Sequence, residues 1–204
     1  MELTSWAVDR PLSSPFALPT GFRGWLAGRF MLWNDGKQSD VVRLLDPRPG
    51  SRVLEVGFGP GGLIRQLLAR TEVALVCGVD PSSDMVAAAR RHNRAGIAAG
   101  RLELRTGTAA ETGYPDEHFD HVVSVRNVAI WPDLEAGLRE LHRVVRPQRT
   151  VLICWHGGTD PNRIVRRLRL PDGKLARIHD GLANLFTSVT RHELTMQTAF
   201  LATR

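Results

Sequence analysis

The segment Val53-Leu-Glu-Val-Gly-Phe-Gly-Pro-Gly61 is the most informative part of the sequence. It begins with an apolar run typical of a buried strand and continues directly into glycines at positions 57, 59 and 61. Because glycine has no Cβ, such a loop can turn tightly and lets a ligand approach the backbone closely. The stretch therefore predicts a strand, a ligand-binding turn and the start of a helix.

Outward from this stretch, short β-branched runs alternate with segments of helical periodicity. Helices are predicted after the first strand, from Met85 to about Arg94 behind capping residues 81–84, and from Leu134 until Pro147. The alternation predicts an α/β fold with a doubly wound, Rossmann-like sheet and right-handed crossovers. The predicted strands are residues 52–56, 73–79, 102–106, 121–125 and 150–155.

The two ends of the chain depart from this alternation. Residues 186–191 and 196–203 are strand-like, and the gap between them is too short for a crossover helix. We therefore expect an antiparallel hairpin that completes a seven-stranded, mostly parallel sheet. Residues 1–46 predict an N-terminal arm and helical cap, with an amphipathic aromatic stripe and a second helix over 38–45. Residues 47–204 form the predicted core, and the whole chain fits a single domain.

The composition limits the class of protein. Hydrophobic residues make up 43% of the chain, which is ordinary for a globular protein. No apolar run reaches the roughly 18 residues needed to span a bilayer, and the N-terminus does not resemble a signal peptide. Cys77 and Cys154 lie in apolar runs without metal-ligand spacing. These features predict a cytoplasmic protein with buried, reduced thiols, no bound metal and no membrane contact.

The chain has a net charge of +6, and its basic residues are densest in one region. A charge run of this kind predicts a solvated helix face, and the alternative is a contact surface for an acidic substrate or nucleic acid. The cluster consists of Arg163, Arg166, Arg167, Arg169, Lys174 and Arg177.

The glycines alone leave two cofactors open. Gly57, Gly59 and Gly62 also match the G-x-G-x-x-G spacing of nicotinamide-dinucleotide sites. Glu55 places a carboxylate where an interior strand prefers an apolar side chain, so it needs a partner such as a cationic amino-acid ligand. Asp80 ends the second apolar run, where a carboxylate can accept both ribose hydroxyls, although Asp-Pro-Ser is also good turn chemistry.

Four segments follow one another in a specific order and spacing. They are Val53-Leu-Glu-Val-Gly-Phe-Gly-Pro-Gly61, Gly78-Val-Asp-Pro-Ser82, Phe119-Asp-His-Val-Val123 and Leu141-His-Arg-Val-Val-Arg-Pro147. Together they resemble successive motifs of the class I S-adenosylmethionine-dependent methyltransferase superfamily. The resemblance covers roughly residues 40–155, and the terminal hairpin extends it to the last residues. It implies S-adenosylmethionine as the cofactor and S-adenosylhomocysteine as the product.

The resemblance also implies which residues hold the cofactor. The methionine part would be held by Glu55 and by the loop residues Gly57, Phe58, Gly59 and Gly61, and the ribose by Asp80 and the adjoining Pro81. The adenine would lie at the turn Gly107-Thr-Ala109, where many relatives carry an acidic residue in place of Thr108; the Ala109 N–H can serve the ring. The residues beside the methionine and its sulfonium would be Val125, Arg126 and Asn127. Asn127 or a backbone carbonyl is the more favourable contact there, because the cationic Arg126 would repel the sulfonium unless it points away or pairs with a carboxylate.

The sequence identifies the residues that would contact the methyl acceptor less clearly than those that would hold the cofactor. Methyl transfer from a sulfonium is an in-line displacement by an O-, N- or C-nucleophile, promoted mainly by alignment. A general base is needed only for a hydroxyl or a protonated amine. His156, after the fifth predicted strand, is the candidate base, and a surface-loop histidine is the alternative. Candidate acceptor contacts, or alternatively packing residues, are Trp25, Phe30, Trp33 and Trp131.

The acceptor class follows in part from the turn after the fourth strand. Enzymes that methylate exocyclic base amines resemble one another in an Asn- or Asp-Pro-Pro-aromatic turn there, whereas this chain has Arg126-Asn-Val-Ala-Ile-Trp131. The region before the final hairpin is also short for a target-recognition insert. Both features favour a small-molecule acceptor over a nucleic acid, and they leave the acceptor's identity and the oligomeric state open.

Two other functions remain as alternatives. An NAD(P)-dependent oxidoreductase would place a catalytic side chain against the nicotinamide ring, but the lone tyrosine, Tyr114, precedes Pro115 and has no lysine nearby. A catalytically inactive cofactor-binding partner subunit would carry the same motifs, because methyl transfer need not leave a catalytic signature.

Overall fold

The structure, a computed structural model of the chain, describes residues 5–7, 38–157, 159–160 and 163–204. The strands are β1 (Arg52–Val56), β2 (Leu75–Asp80), β3 (Leu102–Thr106), β4 (Phe119–Val125), β5 (Val145–His156), β6 (Ser188–Glu193) and β7 (Gln197–Thr203). The helices are α1 (Ser39–Leu45), α2 (Gly62–Arg70), α3 (Ser83–His92), α4 (Arg94–Ala98), α5 (Leu134–Val144), α6 (Arg163–Arg166) and α7 (Asp172–Ala183). A 3₁₀ helix covers Val128–Ile130.

The strands form one seven-stranded sheet in the order β3-β2-β1-β4-β5-β7-β6. Strands β1 to β5 pair in parallel, and β7 runs antiparallel to both of its neighbours. The predicted doubly wound sheet with a C-terminal hairpin is confirmed. Because β1 and β4 lie side by side, the strand order reverses between them, and ligands bind at such a switch point beyond the carboxyl ends of the strands.

Some element bounds differ from the predicted ones. β5 begins at Val145, directly after α5, so Pro147 lies inside a strand. The β4–β5 register shifts between Phe119 and His121, and an irregularity of this kind tolerates a residue without an N–H. The helix predicted over 85–94 is divided, because α3 ends at His92 and Asn93 separates it from α4. The charge pattern of residues 163–177 gave no bounds for α7.

Helices cover both faces of the sheet. On one face, called the α1 face, helices α1, α2 and α3 pack against strand residues such as Val53, Val123 and Leu152. On the other, called the α5 face, α5 and α7 pack against residues such as Leu54 and Ile153. Successive strand side chains point to opposite faces, so these core residues assign a face to every strand position in line with them.

Residues 5–7 dock beside the 3₁₀ helix. The Trp6 indole N–H donates to the Val128 carbonyl oxygen at 2.7 Å, and the Trp6 backbone N–H donates to the Trp131 carbonyl oxygen at 3.2 Å. Lys174 and Arg177 of α7 lie over the Trp6 ring. The predicted contacts Trp25, Phe30 and Trp33 lie outside the described residues.

The basic cluster divides into two parts. Arg169 forms an ion pair with Asp172, Arg177 forms one with Glu135, and Lys174 donates to the Trp6 carbonyl oxygen. These three contacts therefore link α7 to the segment before it, to the start of α5 and to Trp6. The other three are exposed, in line with the predicted solvated face: Arg163, Arg166 and Arg167.

Across the ranges given above, no helix combines the length and apolar character that a membrane crossing requires. The same residues contain no group of three or more His, Cys, Asp and Glu side chains placed to hold a metal ion. Cys77 and Cys154 are buried free thiols, and burial raises their pKa to about 11 and about 12. They are therefore protonated and poorly nucleophilic at neutral pH.

Candidate functional site

The glycine loop after β1 is fastened to the end of β2 by Asp80. One carboxylate oxygen, Oδ2, accepts the backbone N–H of Gly59 at 2.8 Å, and the other, Oδ1, accepts the N–H of Ser82 at 2.9 Å. Asp80 is 6% exposed, and burial raises its pKa while the two N–H bonds oppose the shift. Each oxygen retains a second lone pair, so the carboxylate can still accept hydrogen bonds from a ligand's hydroxyl groups.

A second fastening comes from Asn127, on the other side of the loop. Its Nδ2 donates to the carbonyl oxygens of Val56 at 2.7 Å and Gly57 at 3.2 Å. Its Oδ1 accepts from Ser124 Oγ at 2.8 Å and from the Trp131 indole N–H at 2.7 Å. The amide is therefore fully engaged within the protein. The predicted contact of this side chain with the methionine does not follow from the geometry, which instead makes Asn127 a clamp between β1 and β4.

Two glycines of the loop are required by these contacts. Gly57 has φ +71°, and a Cβ there would lie 2.4 Å from Asn127 Nδ2. Gly61 has φ +84°, and its Cβ would lie 2.6 Å from Nδ2 of Asn93, which donates to the Gly61 carbonyl oxygen. Side chains other than glycine rarely adopt such φ values, and here they would also collide with the clamps. The loop is thus held by asparagines on both sides.

The other predicted loop residues contribute in different ways. The Phe58 side chain points away from the loop into the α1-face core, where it packs against Gly78. Pro81 follows Asp80 directly, and Ser82 caps α3 by accepting the Met85 N–H. Phe58 and Pro81 therefore shape the site without offering a polar group to a ligand.

The turn after β3 is also fixed. The Gly107 N–H donates to the Asp80 carbonyl oxygen at 3.2 Å, and the Thr108 hydroxyl accepts the Glu111 N–H at 3.1 Å. The Thr108 side chain thereby closes the turn and keeps its hydroxyl proton to donate. Within the described ranges the Ala109 N–H makes no hydrogen bond, which leaves it available to an adenine ring.

This turn is anchored to α5 by a buried carboxylate. Glu140 Oε1 accepts the N–H and the hydroxyl of Thr112, and Arg143 pairs with the same carboxylate at 2.7 Å. The guanidinium and the two Thr112 bonds hold the pKa of Glu140 below its usual value, against the opposing effect of burial. The turn is therefore positioned before any ligand binds.

The side chains at the carboxyl edge form a row on the α1 face. Glu55 is two residues beyond Val53 in β1, Val125 is two beyond Val123 in β4, and Asp80 is in line with Val76 in β2. By the same alternation the row continues over the last strands of the sheet. The row is staggered, because Glu55 pairs with Val123 rather than Val125, and Val125 pairs with Cys154 rather than His156. In sheet order its members are Asp80, Glu55, Val125, His156 and Gln197.

His156 ends β5 and is kept neutral by its surroundings. Burial and the charge of Arg126 lower its pKa to about 4, and Asp160 opposes that shift. Arg126 has φ +61°, and its N–H donates to the Cys154 carbonyl oxygen at 2.8 Å. The Arg126 charge therefore acts on the β5 side of the site, and His156 holds an abstracted proton only weakly.

Trp131 lies on the other face of the sheet. It is 5% exposed, belongs to the α5-face core and packs against Gly137 of α5. Its indole N–H donates to Asn127. Trp131 therefore acts as a packing residue, and the predicted contact with the acceptor does not follow from this position.

Three residues of the site escaped the sequence patterns: Asn93, Asp160 and Gln197. Asn93 falls inside the helix predicted over 85–94 and Asp160 follows the last predicted parallel strand, so nothing local marks them as site residues. Gln197 did carry a signal, because it is an amide at an inward position and the next two inward positions of the strand, Ala199 and Leu201, are apolar. The reasoning that selects Glu55 in β1 would also have selected Gln197 in β7.

Comparison with known proteins is consistent with this geometry. Residues 53–148 match the family model described as a methyltransferase domain. The chain is 39% identical to the fatty-acid O-methyltransferase of Mycolicibacterium smegmatis over 99 residues, which are 48% of this chain and 34% of that protein. It is 33% identical to the phosphatidylethanolamine N-methyltransferase of Cereibacter sphaeroides over 143 residues, 70% of this chain and 64% of that protein.

The fold is also similar to that of solved structures. A SAM dependent methyltransferase from Aquifex aeolicus superposes with a TM-score of 0.64 at 16% identity, covering 80% of this chain and 87% of that one. At this identity the likeness concerns the fold alone. The chain spans about half the length of several curated relatives that it matches.

Proposed function

Because the chain belongs to the class I S-adenosylmethionine-dependent methyltransferase superfamily, we propose that it transfers a methyl group from S-adenosylmethionine to a small-molecule acceptor. The observation that carries this proposal is the position of Asp80, whose carboxylate accepts the N–H groups of Gly59 and Ser82; we call this arrangement the Asp80 clasp. A buried carboxylate there holds the glycine loop by Gly59 and keeps lone pairs for two ribose hydroxyls. When bound, the cofactor supplies an electrophilic methyl group on a sulfonium.

The chain's own residues bind and orient in this mechanism. The ribose binds at Asp80, the adenine at Ala109 and Thr108, and the methionine part along the loop from Gly57 to Gly61 beside Glu55. The row on the α1 face then directs the reacting end toward Val125. Fixing donor and acceptor in line supplies much of the rate enhancement that such displacements need.

Proton transfer from the acceptor to His156 is disfavoured by the burial of the imidazole and by the nearby Arg126 charge. A base whose pKa is about 4 accepts a proton from an ordinary alcohol poorly at neutral pH. We therefore propose that His156 contacts the acceptor without deprotonating it. Acceptors that ionise without assistance, or that carry a neutral lone pair, suit this site better than alcohols.

We further propose, as the sequence predicts, that residues 1–46 cover the acceptor and that Trp25, Phe30 and Trp33 contact it. The described parts of this region lie on both faces of the sheet, Trp6 in the α5-face core and α1 on the α1 face. Trp6 is bound to the segment after β4, and α1 packs on the α1 face with Asp40 accepting from Thr195. Trp33→Ala should lower turnover and leave the affinity for S-adenosylhomocysteine unchanged.

The nicotinamide alternative lacks a placed proton donor. Tyr114 packs edge-on to Phe119 beneath the Arg105 guanidinium, and burial raises its pKa above the usual range. It lies in the α5-face core, away from the glycine loop.

Isothermal titration calorimetry with S-adenosylhomocysteine and with NADPH tests the proposal. We expect S-adenosylhomocysteine to bind one site and NADPH not to bind, with Asp80→Ala as the control that removes the clasp. Binding of NADPH alone would overturn the proposal. Turnover is then measured as S-adenosylhomocysteine released with a panel of carboxylic acids, phenols and amines; binding without any turnover would favour the inactive partner subunit.

A further inference from the structure

Two side chains at the end of the row face each other across the β5–β7 pair. His156 and Gln197 are register partners in this antiparallel ladder. Side chains of directly opposite residues project to the same face with Cβ atoms roughly 5 Å apart. Both belong to the α1 face, since they lie in line with Cys154 and Ala199 of that core.

Each of the two side chains carries a buried nitrogen without a hydrogen-bond partner in the described structure. These atoms are Nδ1 of His156 and Nε2 of Gln197, and Gln197 is 1% exposed. Native proteins satisfy nearly all of their buried polar atoms, so an adjacent unsatisfied pair requires an explanation. A ligand that bonds to both atoms provides one.

The chemistry of the pair selects the ligand atom. A glutamine Nε2 is a hydrogen-bond donor, and a neutral imidazole can present Nδ1–H in one tautomer. Two converging donors fit one oxygen atom with two lone pairs. The charged groups beside the pair are Arg126 and Asp160, and burial together with Arg126 disfavours a proton on His156. Burial disfavours any charged ligand atom here, but the Arg126 charge would repel an ammonium group and attract a carbonyl-type or ionised oxygen, with Asp160 acting in the opposite direction.

The pair also stands where an acceptor is needed. Val125 ends β4, β5 is the next strand and β7 the one after it. Val125 is the register partner of Cys154, so His156 and its partner Gln197 lie two residues further toward the carboxyl edge. With about 4.8 Å between strands and about 3.3 Å per residue, their Cα atoms lie about 8 Å and about 12 Å from that of Val125, beyond the proposed position of the methyl group.

We propose that Gln197 and His156 bind an oxygen atom of the methyl acceptor, so that the substrate class is an acidic oxygen compound, a carboxylic acid, phenol or enol, rather than an amine. This inference rests on the proposed function, because it places the acceptor beside the methyl donor. The transfer forms an O–CH₃ bond as the sulfur–methyl bond breaks, and the departing sulfur keeps the bonding electron pair as a thioether. A carboxylate is already ionised and needs no base, whereas a phenol or enol reacts as its anion after releasing its proton to solvent.

The Gln197 side-chain amide gives a direct test by ¹H–¹⁵N NMR of the full chain. The probes are two pairs matched in shape, phenol with aniline and benzoate with benzylamine, titrated with and without saturating S-adenosylhomocysteine. We expect phenol and benzoate to shift the Gln197 Nε2 cross-peak and the amines to leave it unmoved. Equal shifts with the amines, or no shift with any probe, would overturn the proposal.

Variants then separate recognition from folding. Gln197→Leu should weaken phenol and benzoate binding at least about tenfold, the cost of one lost buried hydrogen bond, with S-adenosylhomocysteine affinity unchanged. Thr198→Val, on the opposite face of the same strand, is the control and should change neither. The wild-type spectra retain the test if Gln197→Leu does not fold.

The two proposals fail differently. A wild-type protein that binds S-adenosylhomocysteine but responds equally to amines keeps the proposed function and loses the oxygen site. One that binds phenol through Gln197 but never binds S-adenosylhomocysteine keeps the oxygen site and loses the function.

Discussion

The two halves of the carboxyl edge are built in opposite ways. Around β2, β1 and β4, two polar side chains are bound to the protein: Asp80 to Gly59 and Ser82, and Asn127 to β1. Around β5 and β7, two buried nitrogens of His156 and Gln197 have no partner in the described structure. The first half is organised in advance for a constant ligand, and the second keeps bonding capacity for a variable one. Substitutions should therefore cost stability in the first half and little in the second.

The largest effect is expected from Gly57→Ala. The new Cβ would meet Asn127 Nδ2 at 2.4 Å at a residue with φ +71°. Backbone strain and overpacking together should lower the free energy of unfolding by about 3–4 kcal/mol. S-adenosylhomocysteine affinity should fall more than about 100-fold as the loop moves, since each factor of ten corresponds to 1.4 kcal/mol. Urea denaturation and calorimetry measure the two effects.

Gly50→Ala is the matched control for that change. Gly50 has φ +79°, but a Cβ there meets nothing within 4 Å. It should show the strain alone, about 1–2 kcal/mol, with cofactor affinity intact. Equal losses in the two variants would mean that the Asn127 contact does not matter.

Asn127→Asp should have the next largest effect. The isosteric carboxylate cannot donate, and it would face the carbonyl oxygens of Val56 and Gly57. Loss of these buried bonds should cost about 3 kcal/mol of stability and lower S-adenosylhomocysteine affinity in parallel. Ser124→Ala, which removes one donor to Asn127 Oδ1, should cost only about 1 kcal/mol. A stable Asn127→Asp protein with normal affinity would show that the clamp is dispensable.

Asp80→Asn should act mainly on the cofactor. An amide can accept the Gly59 N–H through its oxygen but would then turn its NH₂ toward the Ser82 N–H. The loss of one charged acceptor should weaken S-adenosylhomocysteine binding about 30-fold, near 2 kcal/mol, and raise the KM for S-adenosylmethionine more than it lowers kcat. A lower kcat at unchanged KM would contradict a purely binding role.

The same division separates what the sequence could predict from what it could not. The strand bounds of β1 and β3, the glycine loop and Asp80 follow from local pattern, because apolar alternation and turn chemistry are written in consecutive residues. Asn127 bonds to the carbonyl oxygen of a residue 71 positions away, so its role as a clamp is visible only in three dimensions. Trp131 was ambiguous for the same reason: its aromatic character does not tell which face of the sheet it occupies.

The acceptor half was harder to predict because its members are isolated residues. His156 was selected only as a histidine after a strand, and its low pKa depends on burial and on Arg126. The proposed role of Gln197 depends on its register partner His156, which lies 41 positions earlier in the chain, and only the β5–β7 pairing reveals that they are neighbours.

His156 should make stability depend on pH. Its pKa is about 4 in the folded chain and about 6.5 when unfolded, so the unfolded state binds more protons between these values. The free energy of unfolding should therefore fall by about 2 kcal/mol from pH 7 to pH 4.5 on account of this residue. His156→Phe removes that contribution, and the difference between the two proteins in urea denaturation isolates it from other histidines. Parallel pH profiles would place His156 in contact with water.

The smallest effect, and the sharpest contrast between the halves, should come from the stability of Gln197→Leu. Replacing a buried amide whose Nε2 has no partner by an apolar side chain removes a desolvation cost without breaking a bond from that atom. The free energy of unfolding should stay constant or rise by up to about 1 kcal/mol, even as acceptor binding is lost. A loss of stability comparable to that of Asn127→Asp would mean that Gln197 is a structural clamp as well. Both halves of the carboxyl edge would then be held by bonded amides, and the buried Gln197 amide would no longer be evidence for a binding site.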